Sequence, residues 1–164
     1  MDGVSKMKKL VVALLVILIF CGCESKEKES GLPALEITGT LEDVEKMSEA
    51  EEGAGFGFIV PSQLADYEGR KISYVEGQLI QVLYGSEDNN LCMRKAKGQG
   101  NCSGDAEDYE NVQELTYSGR NIIAKGNNGR FQLLIWLTEE YSYSVKLNHG
   151  RELADILNMI EIVE

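Results

Sequence analysis

The sequence predicts an α+β fold: an antiparallel meander sheet with a short N-terminal helix and an amphipathic C-terminal helix packed on it. Three observations carry this. Between residues 71 and 147, short runs rich in Ile, Val, Leu and Tyr alternate with polar connections, and 17 glycines punctuate the chain while only Pro33 and Pro61 interrupt it. Residues 131–137 are apolar on both faces, as a central strand covered on each side requires. Finally, Leu153, Ile156, Leu157 and Ile160 recur at i, i+3, i+4 and i+7, a helical stripe that needs a sheet to lie against.

Taken in order, the first helix is expected to begin at Thr40. Thr40 can cap it, Asp43 sits three residues on, and Leu41, Val44 and Met47 follow at helical spacing. Residues 49–55 would end it. Phe56-Gly57-Phe58-Ile59-Val60 reads as a strand that Pro61 stops or confines to an edge. Residues 71–84 form a long strand-like stretch divided at Glu76-Gly77 by a turn or bulge, and residues 91–95 pair back after the polar connection 85–90. Residues 112–117 and 121–125 flank Ser118-Gly119-Arg120. Residues 121–125 and 130–137 flank a second turn, where Asn128-Gly129 supplies the two positive-φ positions a tight hairpin demands. The next strand alternates, with Tyr141, Tyr143, Val145 and Leu147 on one face and Ser142, Ser144 and Lys146 on the other.

The N-terminus belongs to none of this. Lys8 and Lys9 precede an uncharged apolar run from Leu10 to Phe20, then Cys21-Gly22-Cys23 and the charged Glu24-Ser25-Lys26-Glu27-Lys28-Glu29. A basic n-region, a compact apolar h-region and a small residue before a cleavage point make an export signal. The stretch without charge is about 14 residues, short of the roughly 20 that span hydrocarbon as a helix. Met7-Lys8-Lys9 is a more usual opening for such a signal than Met1-Asp2-Gly3-Val4-Ser5.

Gly22-Cys23 resembles the cleavage site of bacterial lipoproteins. That resemblance implies a signal peptide over residues 1–22, a diacylglyceryl group on the Cys23 sulfur, and attachment of the mature chain to the outer face of a cell membrane. Two acyl chains, at about 0.8 kcal/mol per buried methylene, make such an anchor stable. Residues 23–33 are charged and poor in apolar side chains, as a disordered tether is, and residues 34–164 are left for one extracytoplasmic domain. Removing residues 1–22 takes Lys6, Lys8, Lys9 and Asp2 from the 16 basic and 27 acidic residues of the chain, so 13 basic and 26 acidic remain, a net charge of −13. Such an acidic chain excludes nucleic acid as a partner and is repelled by anionic head groups. Contact with the membrane then runs through the lipid on Cys23. The expected partners beyond the membrane are an envelope protein or none, with the domain itself monomeric.

Five motifs in order, Gly55-Phe56-Gly57-Phe58-Ile59-Val60-Pro61-Ser62, Met93-Arg94-Lys95-Ala96-Lys97-Gly98, Ser103-Gly104-Asp105, Ala124-Lys125-Gly126-Asn127 and Tyr141-Ser142-Tyr143-Ser144, span Leu41 to the C-terminus region. Together they resemble a bacterial domain of unknown function found in secreted lipoproteins and at the C-termini of membrane-anchored anti-sigma-factor-like proteins. The opening strand and closing helix are similar, more loosely, to PsbP-like domains. The resemblance implies an extracytoplasmic α+β domain and no enzymatic activity; Cys92 and Cys102 depart from that family's pattern.

Outside the cytoplasm two thiols ten residues apart can oxidise, and Gly98-Gln99-Gly100 lets the intervening loop fold back, so Cys92 and Cys102 are the candidate disulfide, against two unpaired thiols with Cys92 buried on its strand. The residues offer no catalytic, cofactor-binding or metal site. His149 stands alone, which denies a Ser–His–Asp or Cys–His–Asn set. Asp105, Glu107, Asp108 and Glu110 lack the spacing of a calcium loop and read as a solvated run. Gly53-Ala54-Gly55-Phe56-Gly57 is followed by no Lys-Ser/Thr, so it is no phosphate loop. The expected function is a surface-tethered, non-catalytic binding or sensing module. A structural or assembly role in the envelope and, further off, a wall-acting hydrolase are the alternatives.

Overall fold

The structure is a computed structural model that describes residues 31–163. The expected export signal, Cys23 and most of the expected tether lie outside the described residues. Eight antiparallel strands form a single sheet: β1 (Glu42–Val44), β2 (Arg70–Val75), β3 (Leu79–Gly85), β4 (Asn90–Lys97), β5 (Asn111–Tyr117), β6 (Arg120–Asn127), β7 (Arg130–Leu137) and β8 (Tyr141–Arg151). Their spatial order is β1-β2-β3-β4-β8-β7-β6-β5. Two four-stranded meanders, β1–β4 and β5–β8, are thus joined edge to edge where β4 pairs with β8, Cys92 opposite Lys146 and Arg94 opposite Ser144. With α1 (Met47–Ala54) and α2 (Leu153–Leu157), the architecture is a large antiparallel sheet carrying two short helices.

The hairpins follow local chemistry. Gly77 turns at φ 66° between β2 and β3, and Asn128 and Gly129 lie at φ 53° and 72° between β6 and β7. β7 is an interior strand, with Leu133, Leu134, Ile135 and Trp136 buried on alternate faces, as its two-sided apolar pattern requires.

The N-terminal elements differ from expectation. No helix begins at Thr40. Glu42–Val44 is instead the edge strand β1, paired with β2, because its polar side chains find partners there. Asp43 pairs with Lys71 at 2.8 Å and accepts from the Ser73 hydroxyl, and the Tyr74 hydroxyl donates to Glu42 at 2.9 Å. The capping geometry appears further along the chain, at Lys46, where the Glu49 carboxylate accepts the Lys46 N–H at 3.3 Å and starts α1, which Gly55 closes at φ 76°. Residues 56–60 are no strand. They cross the sheet, burying Phe58 and exposing Ile59, and side chains replace the missing ladder. Glu51 accepts the Phe58 N–H, Lys95 Nζ donates to the Gly57 carbonyl at 2.7 Å, and the Tyr84 hydroxyl donates to the Pro61 carbonyl at 2.6 Å.

The C-terminal segment is also shorter as a helix than its stripe predicts. α2 has five residues and passes at Asn158–Ile162 into 3-10 turns, which bring the Val163 N–H to the Ile160 carbonyl. Ile156, Leu157, Ile160 and Val163 are buried there.

The two faces of the sheet are unequal. One carries the main core: Ile80, Val82, Tyr84, Leu91, Met93, Trp136, Val145 and Leu147 under α1, the 56–69 crossing and the C-terminal segment. On the other face a small cluster of Val75, Leu79, Ala96 and Cys102 is covered by Leu35 and Ile37. The strap bearing those two is held to the loop after β4, since Leu35 N–H donates to the Asn101 carbonyl and Asn101 N–H to the Pro33 carbonyl. Beside this cluster the second face turns polar.

Candidate functional site

The period of two that sends Met93 and Lys95 into the main core sends Cys92 and Arg94 to the opposite face, next to Gln81 and Leu83 of β3 and Lys146 of β8. β7 adds Gln132. Against β6 the pairing passes from Gly126–Phe131 to Lys125–Leu133, which makes Gln132 the extra residue of a bulge and re-aims its side chain. These residues floor a cavity of about 450 Å³ that Asn90, Asn148, Ser103, Gly104, Glu107 and Leu147 complete.

The roof is the connection from β4 to β5, stapled to the floor by two cations. Arg94 donates through Nε to Gln81 Oε1 at 2.8 Å and through Nη1 to the carbonyls of Cys102 at 3.2 Å and Ser103 at 2.6 Å. Gly104 lies at φ 68°, and a Cβ there would collide with Arg94 Nη1, so the roof needs a glycine at this point. Lys146 Nζ pairs with Asp105 at 2.7 Å and Glu107 at 3.3 Å. The Asp105 side chain is 3% exposed and also accepts from the Tyr109 hydroxyl.

Burial pushes the Asp105 pKa up, but the hydrogen bonds from Lys146 and Tyr109 outweigh it, and the carboxyl titrates below its ordinary range. For Lys146 burial works downward and the two carboxylates win, raising its pKa. Burial raises the Tyr109 phenol, and the Asp105 carboxylate raises it further.

Two features distinguish this cavity. Gln132 Oε1 is buried and has no hydrogen-bond partner among the described residues. Arg94 is a partly buried cation whose hydrogen bonds go to uncharged groups, three oxygens and the Cys92 thiol. The ion pairs found among the described residues belong to Lys71, Lys146 and Arg151.

The structure holds free thiols at Cys92 and Cys102 in place of the bridge expected between them. Cys102 turns toward Ser144 Oγ, 3.6 Å away, within the small apolar cluster, while Arg94 holds its carbonyl and sits beside the Cys92 thiol. Burial raises the pKa of both, which keeps them protonated and unreactive. His149 is on β8, and its Nε2 lies 2.8 Å from the Asp88 carbonyl. Asp105, read as part of a solvated run, is instead a buried residue of the roof, while Glu107 stays 58% exposed. Among the described residues no group of three His, Cys, Asp or Glu is placed to hold a metal, and no helix is long and apolar enough to cross a membrane.

Arg94, Gln132 and Lys146 went unmarked as site residues in the sequence. Lys146 carried a faint signal as the charge on the polar face of an alternating strand. Gln132 carried another, as the polar intruder between Phe131 and Leu133. No family model, curated protein or solved structure matches the chain.

Proposed function

We propose that the protein is a lipoprotein held at the extracytoplasmic face of a cell membrane through Cys23, and that it acts as a non-catalytic binding module whose site is the polar cavity beside Arg94. The observation that carries this is Gln132 Oε1. A buried acceptor without a partner costs about 1–3 kcal/mol, and a bound molecule that donates to it recovers that cost. Within this reading the segment from Leu153 to Ile160, amphipathic along its length, serves as a cover for the main core on the far side and takes no part in binding.

The runner-up, an assembly role in the envelope, has one observation of its own. β5 ends the sheet, and among the described residues nothing pairs with its outer side over seven residues. A second chain could add a strand there.

Native mass spectrometry of protein extracted in detergent from the membranes of producing cells tests the proposal. The expected mass is that of a chain beginning at a diacylglyceryl-modified Cys23, accompanied by a non-covalent small-molecule adduct. An unprocessed N-terminus sinks the anchor, and a stoichiometric protein partner without a small-molecule adduct favours assembly through β5.

A further inference from the structure

We infer that the cavity takes a polyhydroxylated organic acid of roughly hexose size, its carboxylate on Arg94 and a hydroxyl donating to Gln132 Oε1. This rests on the cavity being the binding site and goes on to its ligand. The anion follows from charge. In a chain with 27 acidic residues, the partly buried Arg94 has no carboxylate of its own among the described residues. The other cavity cation, Lys146, is neutralised by Asp105 and Glu107. A guanidinium so placed lacks the partner it binds best. None of its three bonds to Gln81, Cys102 and Ser103 uses Nη2.

The hydroxyls follow from the rest of the lining. Gln132 Oε1 needs a donor. An ammonium would meet Lys146, which stands opposite Leu133, the next residue along β7, so a hydroxyl is the better donor. The remaining wall is amides, a serine, a thiol and the Glu107 carboxylate, with Leu83 its apolar side chain and no aromatic ring, which leaves little for a flat or greasy ligand to stack on. Phosphate fits poorly, since Nη1 and Nε are spent on the roof and on Gln81, and no second unpaired cation lines the cavity. Arg94 is paired through Ser144 with Ile135, so Gln132 stands two strands across and three residues along, ~14 Å between backbones, and the reach of their side chains narrows that gap to the span of about six carbons.

Calorimetric titration of the full mature protein in detergent, with D-gluconate, D-glucose, hexanoate and inorganic phosphate as probes, tests this. Gluconate should bind, and each of the other three should bind at least about tenfold more weakly, the scale of one lost charged or buried hydrogen bond. Gln132→Leu should weaken gluconate about tenfold and leave hexanoate unchanged. Arg94→Lys, which keeps the charge and loses the Nη2 donor, should also weaken gluconate about tenfold, with melting curves confirming that both variants fold. Hexanoate equal to gluconate overturns the hydroxyl contact, glucose equal to gluconate overturns the carboxylate, and phosphate binding more tightly overturns the choice of acid. Binding of none of the four overturns the ligand class altogether. A small-molecule adduct seen by native mass spectrometry would still stand for the cavity, so the two failures are separable.

Discussion

Arg94 and Lys95 are neighbours on β4, and the strand period sends their charges to opposite faces of one sheet. Lys95 Nζ lies 4.7 Å from the ring centre of Tyr141, 5.3 Å from that of Tyr143 and 5.9 Å from that of Phe56, and it donates to the Gly57 carbonyl. Trp136 stacks on Tyr143 with ring centres 5.2 Å apart. Burial lowers the Lys95 pKa, with Tyr141 and Glu51 acting against it, and the protein meets the ammonium's needs from its own rings and carbonyl. Arg94 is met by neutral oxygens and the Cys92 thiol beside a cavity with an orphaned acceptor. The same strand thus carries one cation that closes the fold and one that leaves it incomplete. A fold that satisfies its polar groups on one face and not on the other has reserved the second for something else.

The largest effect expected belongs to the closed face. Trp136→Ala removes the 1%-exposed ring beneath the aromatic box and should cost about 3–5 kcal/mol in a urea melt, a large part of the 5–15 that holds a domain of this size together. A loss under about 1 kcal/mol would mean that this face is not the core that fixes Lys95.

Next comes the roof of the cavity. The Asp105 carboxyl is held below its ordinary range. Its contribution is therefore complete above the unfolded titration range, near pH ~4, and is lost as pH falls through the lower folded value. Asp105→Asn should lose about 1–3 kcal/mol at neutral pH and lie closer to wild type in strong acid. Urea midpoints followed from neutral pH into acid check this. A constant gap between the two proteins across that range would show that the Asp105–Lys146 pair does not hold the roof.

The smallest effect has the opposite sign. Gln132→Leu removes a buried acceptor that has no partner, so it should leave stability unchanged or raise it by up to about 1 kcal/mol. A loss of more than about 1 kcal/mol would mean that Gln132 is satisfied in solution, and the contrast between the two faces would fall with it.

Much of the sheet was legible because its signals are local. Asn128-Gly129 and Glu76-Gly77 mark turns through backbone conformation that few other residue pairs adopt, and the alternation from Tyr141 to Leu147 sets the two faces of β8 without knowledge of its neighbours. The misreadings lie where partners are distant in sequence. Thr40 to Met47 has a fair helical pattern, yet Lys71, Ser73 and Tyr74 draw Glu42 and Asp43 into an edge strand. Residues 56–60 have strand composition, but Lys95, 38 residues on from Gly57, and Tyr84, 23 residues on from Pro61, take the carbonyls of those two residues in place of a neighbouring strand.

The sequence by itself determined the α+β class, the hairpin turns, the two-sided burial of β7 and the assignment of Arg94 and Lys95 to different faces, because each depends on period and turn chemistry within a dozen residues. Only the tertiary structure decided that β4 lies against β8, that a bulge sets Gln132 in the cavity that Lys146 also lines, and that Asp105 is a buried part of the roof instead of solvated. Those facts depend on which distant strands meet, and a polar atom is satisfied or orphaned only by what the folded chain brings within hydrogen-bond reach of it.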